Sequence, residues 1–257
     1  MHRLLPLPRL PGLILAALVA FSPAAGGAQV VVVDEGTFSL FVRGTRVGRE
    51  DFSIRRAPAS AAAAFVAQGN VILSGTRLEV ALNTDSLGLP LRFELKTFAL
   101  GRSTEQVTGE ERRGLWSGRA VNAVGESARE FRLPTGSIAA EGGVVHHLWF
   151  LMRFGGSERT TELLPRLLSL REIRVEPDGR EPISIGEREY DAQKWVVRAL
   201  DGTLLQEVWT DTEGRLLRVR VPVDGLEAIR DDSPRETPRP DQAYDDAEPL
   251  LNRTRNR

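Results

Sequence analysis

The sequence predicts an exported, mostly β protein: a strongly curved antiparallel meander sheet or open half-barrel with one or two short helices packed on it. Three observations carry that reading. Apolar and polar residues alternate with period two from Val30 onward, Gly and Asn/Asp pairs punctuate the alternating runs, and an apolar stretch behind basic residues opens the chain.

Residues 1–28 have the form of a secretory signal peptide. His2, Arg3 and Arg9 give a basic start, Leu13 to Phe21 is uninterruptedly apolar, and small residues run from Ala24 to Ala28. The expected cut follows Ala28, with Ala25 as the runner-up. The apolar run is about half the ~20 residues a membrane span needs. No later segment is long and apolar enough to span, so the mature chain is expected to be soluble, in the periplasm or outside the cell.

Phe38, Leu40 and Val42 share one face of a first strand, opposite Thr37, Ser39 and Arg43. A turn at Gly44-Thr45 returns the chain as Val47 to Ile54. Phe65 to Leu73 is a strand unless Gly69-Asn70 makes a turn. Leu78, Val80 and Leu82, then Leu91, Phe93 and Leu95, repeat the alternation expected of a sheet with one wet face. Further strands are read at Gln106–Glu111, Leu115–Val121 and Ala128–Leu133. Val144 to Phe154 is apolar on nearly every side, and Glu162 to Leu170 repeats Leu at helical spacing around Pro165. These are read as the short helices, with a buried strand as the alternative for Val144 to Phe154. The last third returns to strands at Glu172–Glu176, Pro182–Ile185, Ala192–Leu200, Leu204–Thr210 and Arg215–Val221. Asp201-Gly202 and Glu213-Gly214 supply turns. Short connections of this kind favour a meander. One domain is expected over residues 29–230, followed by a disordered, charged, Pro-rich tail over 231–257.

Of 257 residues, 41% are hydrophobic and 27% charged, enough apolar material for a core. Cysteine is absent, which excludes disulfides, thiolate metal sites and a thiol nucleophile. The net charge of -1 offers no electrostatic footprint for nucleic acid.

Three pieces together carry a family resemblance: Gly36 to Ile54 with Val47-Gly48-Arg49-Glu50 opening its second strand, Ile185 to Ala199 with Trp195-Val196-Val197, and Glu207-Val208-Trp209-Thr210-Asp211 followed by Glu213-Gly214-Arg215-Leu216-Leu217. The chain resembles exported bacterial domain-of-unknown-function families that are β-rich and similar to the periplasmic lipoprotein-carrier half-barrels. The resemblance spans most of residues 30–230. It implies a curved antiparallel sheet with helix packed in its concavity, and it carries over no catalytic residue. Within it, Trp209 and Asp211 fit a strand end entering a turn.

Signatures of catalysis are missing: there is no G-x-S-x-G elbow, no H-E-x-x-H and no phosphate loop. His146 and His147 are the only histidines after residue 28. One of them could act as metal ligand or base with Glu141 or Glu158, but adjacent side chains diverge, and a structural pair is the stronger reading. Ser127 or Ser137 with His147 and Asp191 is a combination any chain of this size permits. Glu110 and Glu111, beside Arg112 and Arg113, read as a solvated turn.

Leu148 to Phe154 is the densest apolar feature of the mature chain. It is core by default, and the sharper alternative is that its side chains line a pocket. Trp149, Phe150, Met152, Trp195 and Trp209 are therefore the candidate ligand-binding residues, with no catalytic residue, metal or cofactor expected. The function that follows is a non-enzymatic envelope protein holding a lipid or other apolar ligand in a curved sheet. The alternatives are an interaction or assembly module engaging an envelope partner, and remotely a hydrolase.

Overall fold

A computed structural model describes residues 30–58, 61–155 and 159–234. The expected signal peptide and residues 235–257 of the expected tail lie outside the described residues. Eight strands come first: β1 (Val31–Val42), β2 (Thr45–Arg56), β3 (Phe65–Leu73), β4 (Thr76–Thr84), β5 (Pro90–Ala99), β6 (Arg102–Arg112), β7 (Leu115–Asn122) and β8 (Gly125–Arg132). A short β9 (Ile138–Ala139) follows, then α1 (Leu148–Phe154), the one α-helix among the described residues. The second meander is β10 (Thr160–Leu164), β11 (Ser169–Ile185), β12 (Arg188–Ala199), β13 (Leu204–Thr210), β14 (Leu216–Val221) and β15 (Leu226–Arg230).

All fifteen strands belong to one sheet, in the order β8 to β1, then β15 down to β9. Each pairs antiparallel with its sequence neighbour, apart from the parallel β9–β10 pair and the β1–β15 seam that joins the two meanders. Arg43-Gly44, Ser74-Gly75, Leu100-Gly101 and Arg113-Gly114 all have positive φ at both positions, the requirement of the type I′ turns that match strand twist. The first turn thus sits one residue earlier than the Gly44-Thr45 expected, because Arg43 itself adopts the left-handed conformation.

The curvature follows from contacts between strands that are distant in the sheet. Eleven inter-strand steps separate β6 from β10, about 50 Å in a flat sheet. Yet Arg166, in the turn after β10, places Nε 3.2 Å from Glu105 Oε2 on β6. Arg129 of β8 reaches the Leu168 carbonyl at 3.3 Å. The sheet therefore curls round on itself, while its edge strands β8 and β9 remain unpaired with each other and the barrel stays open. The mostly β, curved open sheet with a short helix is the fold expected.

Inside the curl, one apolar cluster takes residues from both meanders, among them Phe38, Phe52, Phe93, Trp116, Val175 and Val208. Helix α1 fills the centre: Trp149 and Phe150 lie 5.6 and 6.2 Å, centroid to centroid, from Phe65. A smaller cluster of Ile183, Ile185, Ala192, Trp209 and Leu217 covers the other face of the second meander.

Two local expectations are corrected and one alternative is decided. Glu162 to Leu170 is not a helix but the end of β10, a turn and the start of β11. Pro165 supplies no N–H to a helical ladder and Leu168 has φ +48, so the chain turns there. Phe65 to Leu73 is the strand expected, β3, and Gly69-Asn70 runs straight through it rather than turning. Glu172–Glu176 and Pro182–Ile185 are one long strand interrupted by a bulge between Pro177 and Arg180. Strand β15, which the sequence reading did not include, forms half of the seam.

Candidate functional site

Beneath the helix lies a buried polar anchor. Glu50 points inward from β2 and is completely buried. Its carboxylate accepts the backbone N–H of Val145 at 2.7 Å and of His146 at 2.8 Å, and it contacts His146 Nδ1 at 2.6 Å. These groups would otherwise be unpaired donors at the entry to α1, so one carboxylate fixes the turn that starts the helix. The His146 ring stacks on Phe52 at 5.7 Å and fills the space over Gly69, where a Cβ would fall 2.5 Å from His146 Cε1. His147 is equally buried, edge-on to Phe93, with neither ring nitrogen hydrogen-bonded. Burial, aided by the neighbouring His146, pushes its pKa well below the ordinary 6.5, so it is a neutral core residue.

The same turn forms one wall of a cavity of about 350 Å³. Val144, Val145 and Leu148 face Leu205 of β13, Val219 and Val221 of β14, and Leu226 of β15 across it. Its polar lining comes from Glu141, Glu162, Arg166, Arg171, Gln206 and Asp224. Glu162 sits opposite Arg171 in the β10–β11 register and accepts Arg171 Nε at 2.8 Å and Nη2 as well. Glu141 accepts the Arg166 backbone N–H at 3.1 Å and lies 3.7 Å from the Arg166 guanidinium. Burial raises both carboxyls above the usual carboxylate range, outweighing the guanidinium beside each. The Gln206 Oε1 is buried without a hydrogen-bond partner.

The five candidate ligand-binding residues do not gather at this cavity, and none is among its lining residues. Trp149 is 3% exposed and Phe150 fully buried, both in the main core. Met152 and Trp195 are half-buried at the margin of that cluster, with Trp195 Nε1 donating to Thr210 Oγ1 at 3.0 Å. Trp209 lies on the opposite face of the sheet, covered by Lys194, Arg218 and Arg220 at 5.2 to 5.6 Å from its ring. Asp211 has a turn role: its Oδ1 accepts the N–H groups of Glu213 and Arg215, both at 2.9 Å.

The weaker constellations do not assemble. With both its nitrogens unpaired, His147 meets neither a serine nor Asp191; the Ser137 hydroxyl donates to the Pro134 carbonyl, and Asp191 pairs with Arg180 on the surface. Glu110 pairs with Arg112, and Glu111 accepts the Gly114 N–H. Glu158 is outside the described residues. Among the described residues no group of three or more His, Asp or Glu is placed to hold a metal. The sequence reading missed the Glu50 anchor and the cavity. The only signal for Glu50 was an acid at an inward-facing position of an alternating strand.

Neither a protein-family model nor a curated protein matches the sequence. Among solved structures, the chain is similar to a β-barrel-like protein of the domain of unknown function DUF1849 from Brucella abortus. The TM-score is 0.52 and the identity 11%, over 78% of this chain and 95% of that one. The likeness is one of fold: this chain shares the architecture of a β-rich, barrel-like domain of unknown function.

Proposed function

We propose that the protein is a non-enzymatic envelope component, exported by cleavage after Ala28, that holds an apolar ligand within its curved sheet. The observation that supports this is the cavity between the 144–148 turn and strands β13 to β15. Its volume of about 350 Å³ lies within the ~300–1,000 Å³ usual for small-molecule sites, and its walls are largely aliphatic. The cavity opens to the surface where the exposed Leu167 and Val223 join its lining, which gives a ligand a way in. The ligand site of this reading is the cavity and not the five candidate residues, of which Trp149 and Phe150 are buried in the main core.

The uncharged apolar dye N-phenylnaphthylamine tests the reading. Stoichiometric uptake, abolished by Val221→Trp filling the cavity, is the expected result. Absence of uptake by the wild type would leave the assembly module in front, and native mass spectrometry of protein purified gently from its envelope would then be expected to show a bound protein. Export is tested separately, since N-terminal sequencing of the mature protein should begin at Gln29.

A further inference from the structure

We propose that one rim of the open barrel docks on an anionic lipid bilayer through four apolar turn tips flanked by unpaired arginines. The inference goes beyond the apolar-ligand reading and does not depend on it.

Strands alternate in direction along each meander, so every second turn falls at the same end of the sheet. Val42 of β1 pairs with Leu226 of β15, which brings the β1–β2 and β14–β15 turns together, and the Arg43 N–H donates to the Gly225 carbonyl at 2.9 Å. The β3–β4, β5–β6, β7–β8, β10–β11 and β12–β13 turns lie at that end too. Across the opening of the curl, Arg166 of the β10–β11 turn donates to Thr97 Oγ1 at 3.4 Å and nears Glu105, just short of the β5–β6 turn. Asn122, before the β7–β8 turn, pairs with the same Glu105.

The four most exposed large apolar side chains among the described residues all stand on this rim, 68% to 100% exposed: Leu100, Val124, Leu167 and Val223. Each sits in a different turn, where Asn, Asp, Gly and Ser are the usual occupants. Leu100 has φ +51, a left-handed conformation that suits Asn or Gly better than Leu. None of the four packs into either apolar cluster. Separate tips that each find their own depth suit a fluid apolar medium, whereas a protein interface needs a contiguous, closely packed core. Leu167 and Val223 also flank the mouth of the cavity, which docking sets against acyl chains.

Charge selects the lipid. Arg43, Arg46 and Arg102 are exposed in or beside these turns and make no ion pair among the described residues. Arg198 binds the Gly202 carbonyl at 3.3 Å and no carboxylate among them. Against these four cations stand two carboxylates without a cation, Asp201 and Asp224. Arg77 and Arg119 are matched by Glu79 and Glu126. Glu105 and Glu141 share Arg166 behind the tips, where both carboxylate side chains are largely buried. The outermost layer is therefore cationic and favours anionic head groups.

Flotation of the mature chain with vesicles of phosphatidylglycerol and phosphatidylcholine in equal parts is the test. The protein should float with these vesicles and far less with phosphatidylcholine alone. Arg43→Gln, Arg46→Gln and Arg102→Gln should each lower the partition coefficient roughly fivefold at low salt. Leu100→Asn with Val124→Asn should lower it roughly tenfold, and Asn suits the Leu100 turn, so folding is kept. Leu87→Asn, in the exposed β4–β5 turn on the opposite rim, should leave it unchanged. A loss with Leu87→Asn equal to that of the double variant overturns the choice of rim, and equal flotation with neutral vesicles overturns the anionic head group. No flotation of the wild type overturns the docking itself, and a partner chain lost from the double variant in native mass spectrometry would assign the rim to a protein instead. Dye uptake by the cavity is read without vesicles, so failure here leaves the apolar-ligand reading standing.

Discussion

His147 shows how a single side chain turns burial into a pH response. Its pKa is depressed when folded and returns to the ordinary 6.5 when unfolded, so unfolding takes up a proton at mildly acidic pH. Stability is fully present above about pH 6.5 and falls by about 1.4 kcal/mol per pH unit below it, until the depressed folded value is reached. Urea unfolding between pH 7.5 and 5 should show stability falling toward acid more steeply in the wild type than in His147→Leu, the difference approaching that slope. Asp34, Glu141 and Glu162 act with the opposite sign, because their folded pKa values are raised; comparison with the variant isolates the histidine. Gly69 is a case of close approach. Gly69→Ala would drive a methyl into the His146 ring and should cost about 1–3 kcal/mol, read as a shift in the denaturant midpoint. Trp149 belongs to the core, and Trp149→Ala should cost about 3–5 kcal/mol by the same measurement. That Trp149 and Phe150 are buried was legible from the density of apolar residues around them. That His147 is a core residue was legible only as a preference for structure over catalysis, because the sequence does not display which histidine has a partner.

Elements were legible wherever alternation and turn chemistry agreed, as in the hairpins β1–β2, β3–β4, β5–β6 and β6–β7, which carry glycine at the second turn position. They were misread where one pattern served two structures. The leucines of 162–170 fit a helix by spacing, yet they populate two strands and a turn. The separation of Trp195 from Trp209 has a cause that sequence does not show. Arg198 pairs with Leu204 next to the turn, and that register, continued, would put Gln193 opposite Trp209 and both tryptophans on one face. A bulge between Val197 and Arg198 shifts the pairing by one residue, Trp195 faces Val208, and Trp209 goes to the other side. The Glu50 anchor is equally non-local, joining residues 95 and 96 positions apart. Glu50→Ala would strand the N–H groups of Val145 and His146 in the core, at a cost of about 3–5 kcal/mol. Hydrogen exchange at those two amides, slow in the wild type, should become fast in the variant if the turn before α1 is held by this carboxylate alone. Unchanged protection would show that packing of α1 suffices.

The whole molecule is held together at the seam between its two meanders. Phe38 through Val42 pair there with Arg230 back through Leu226. Arg230 is almost completely buried and reaches across with Nη1 3.0 Å and Nη2 2.9 Å from the Asp34 carboxylate, while its guanidinium lies 5.4 Å from the Phe52 ring centre. Beyond it, Asp231 N–H donates to the Thr37 carbonyl and Asp232 accepts the Thr37 N–H, which carries the seam into the first residues assigned to the tail. Asp34 is held above the usual carboxylate range by burial even with Arg230 in place. Arg230→Met would leave that carboxylate buried without its cation, and should lower stability by about 3–5 kcal/mol, measured by urea unfolding at neutral pH. The seam also imposes an order on folding. Nearly every other strand pair is a hairpin that closes as soon as its own residues exist, whereas Asp34 must wait for a partner 196 positions later. Until β15 is synthesised, β1 is an edge with unpaired amides and carbonyls, open to the wrong strand or to another chain. A chain truncated before Leu226 would keep every other hairpin and still lack the strand that covers this edge, so its characteristic failure is self-association through β1 rather than simple unfolding.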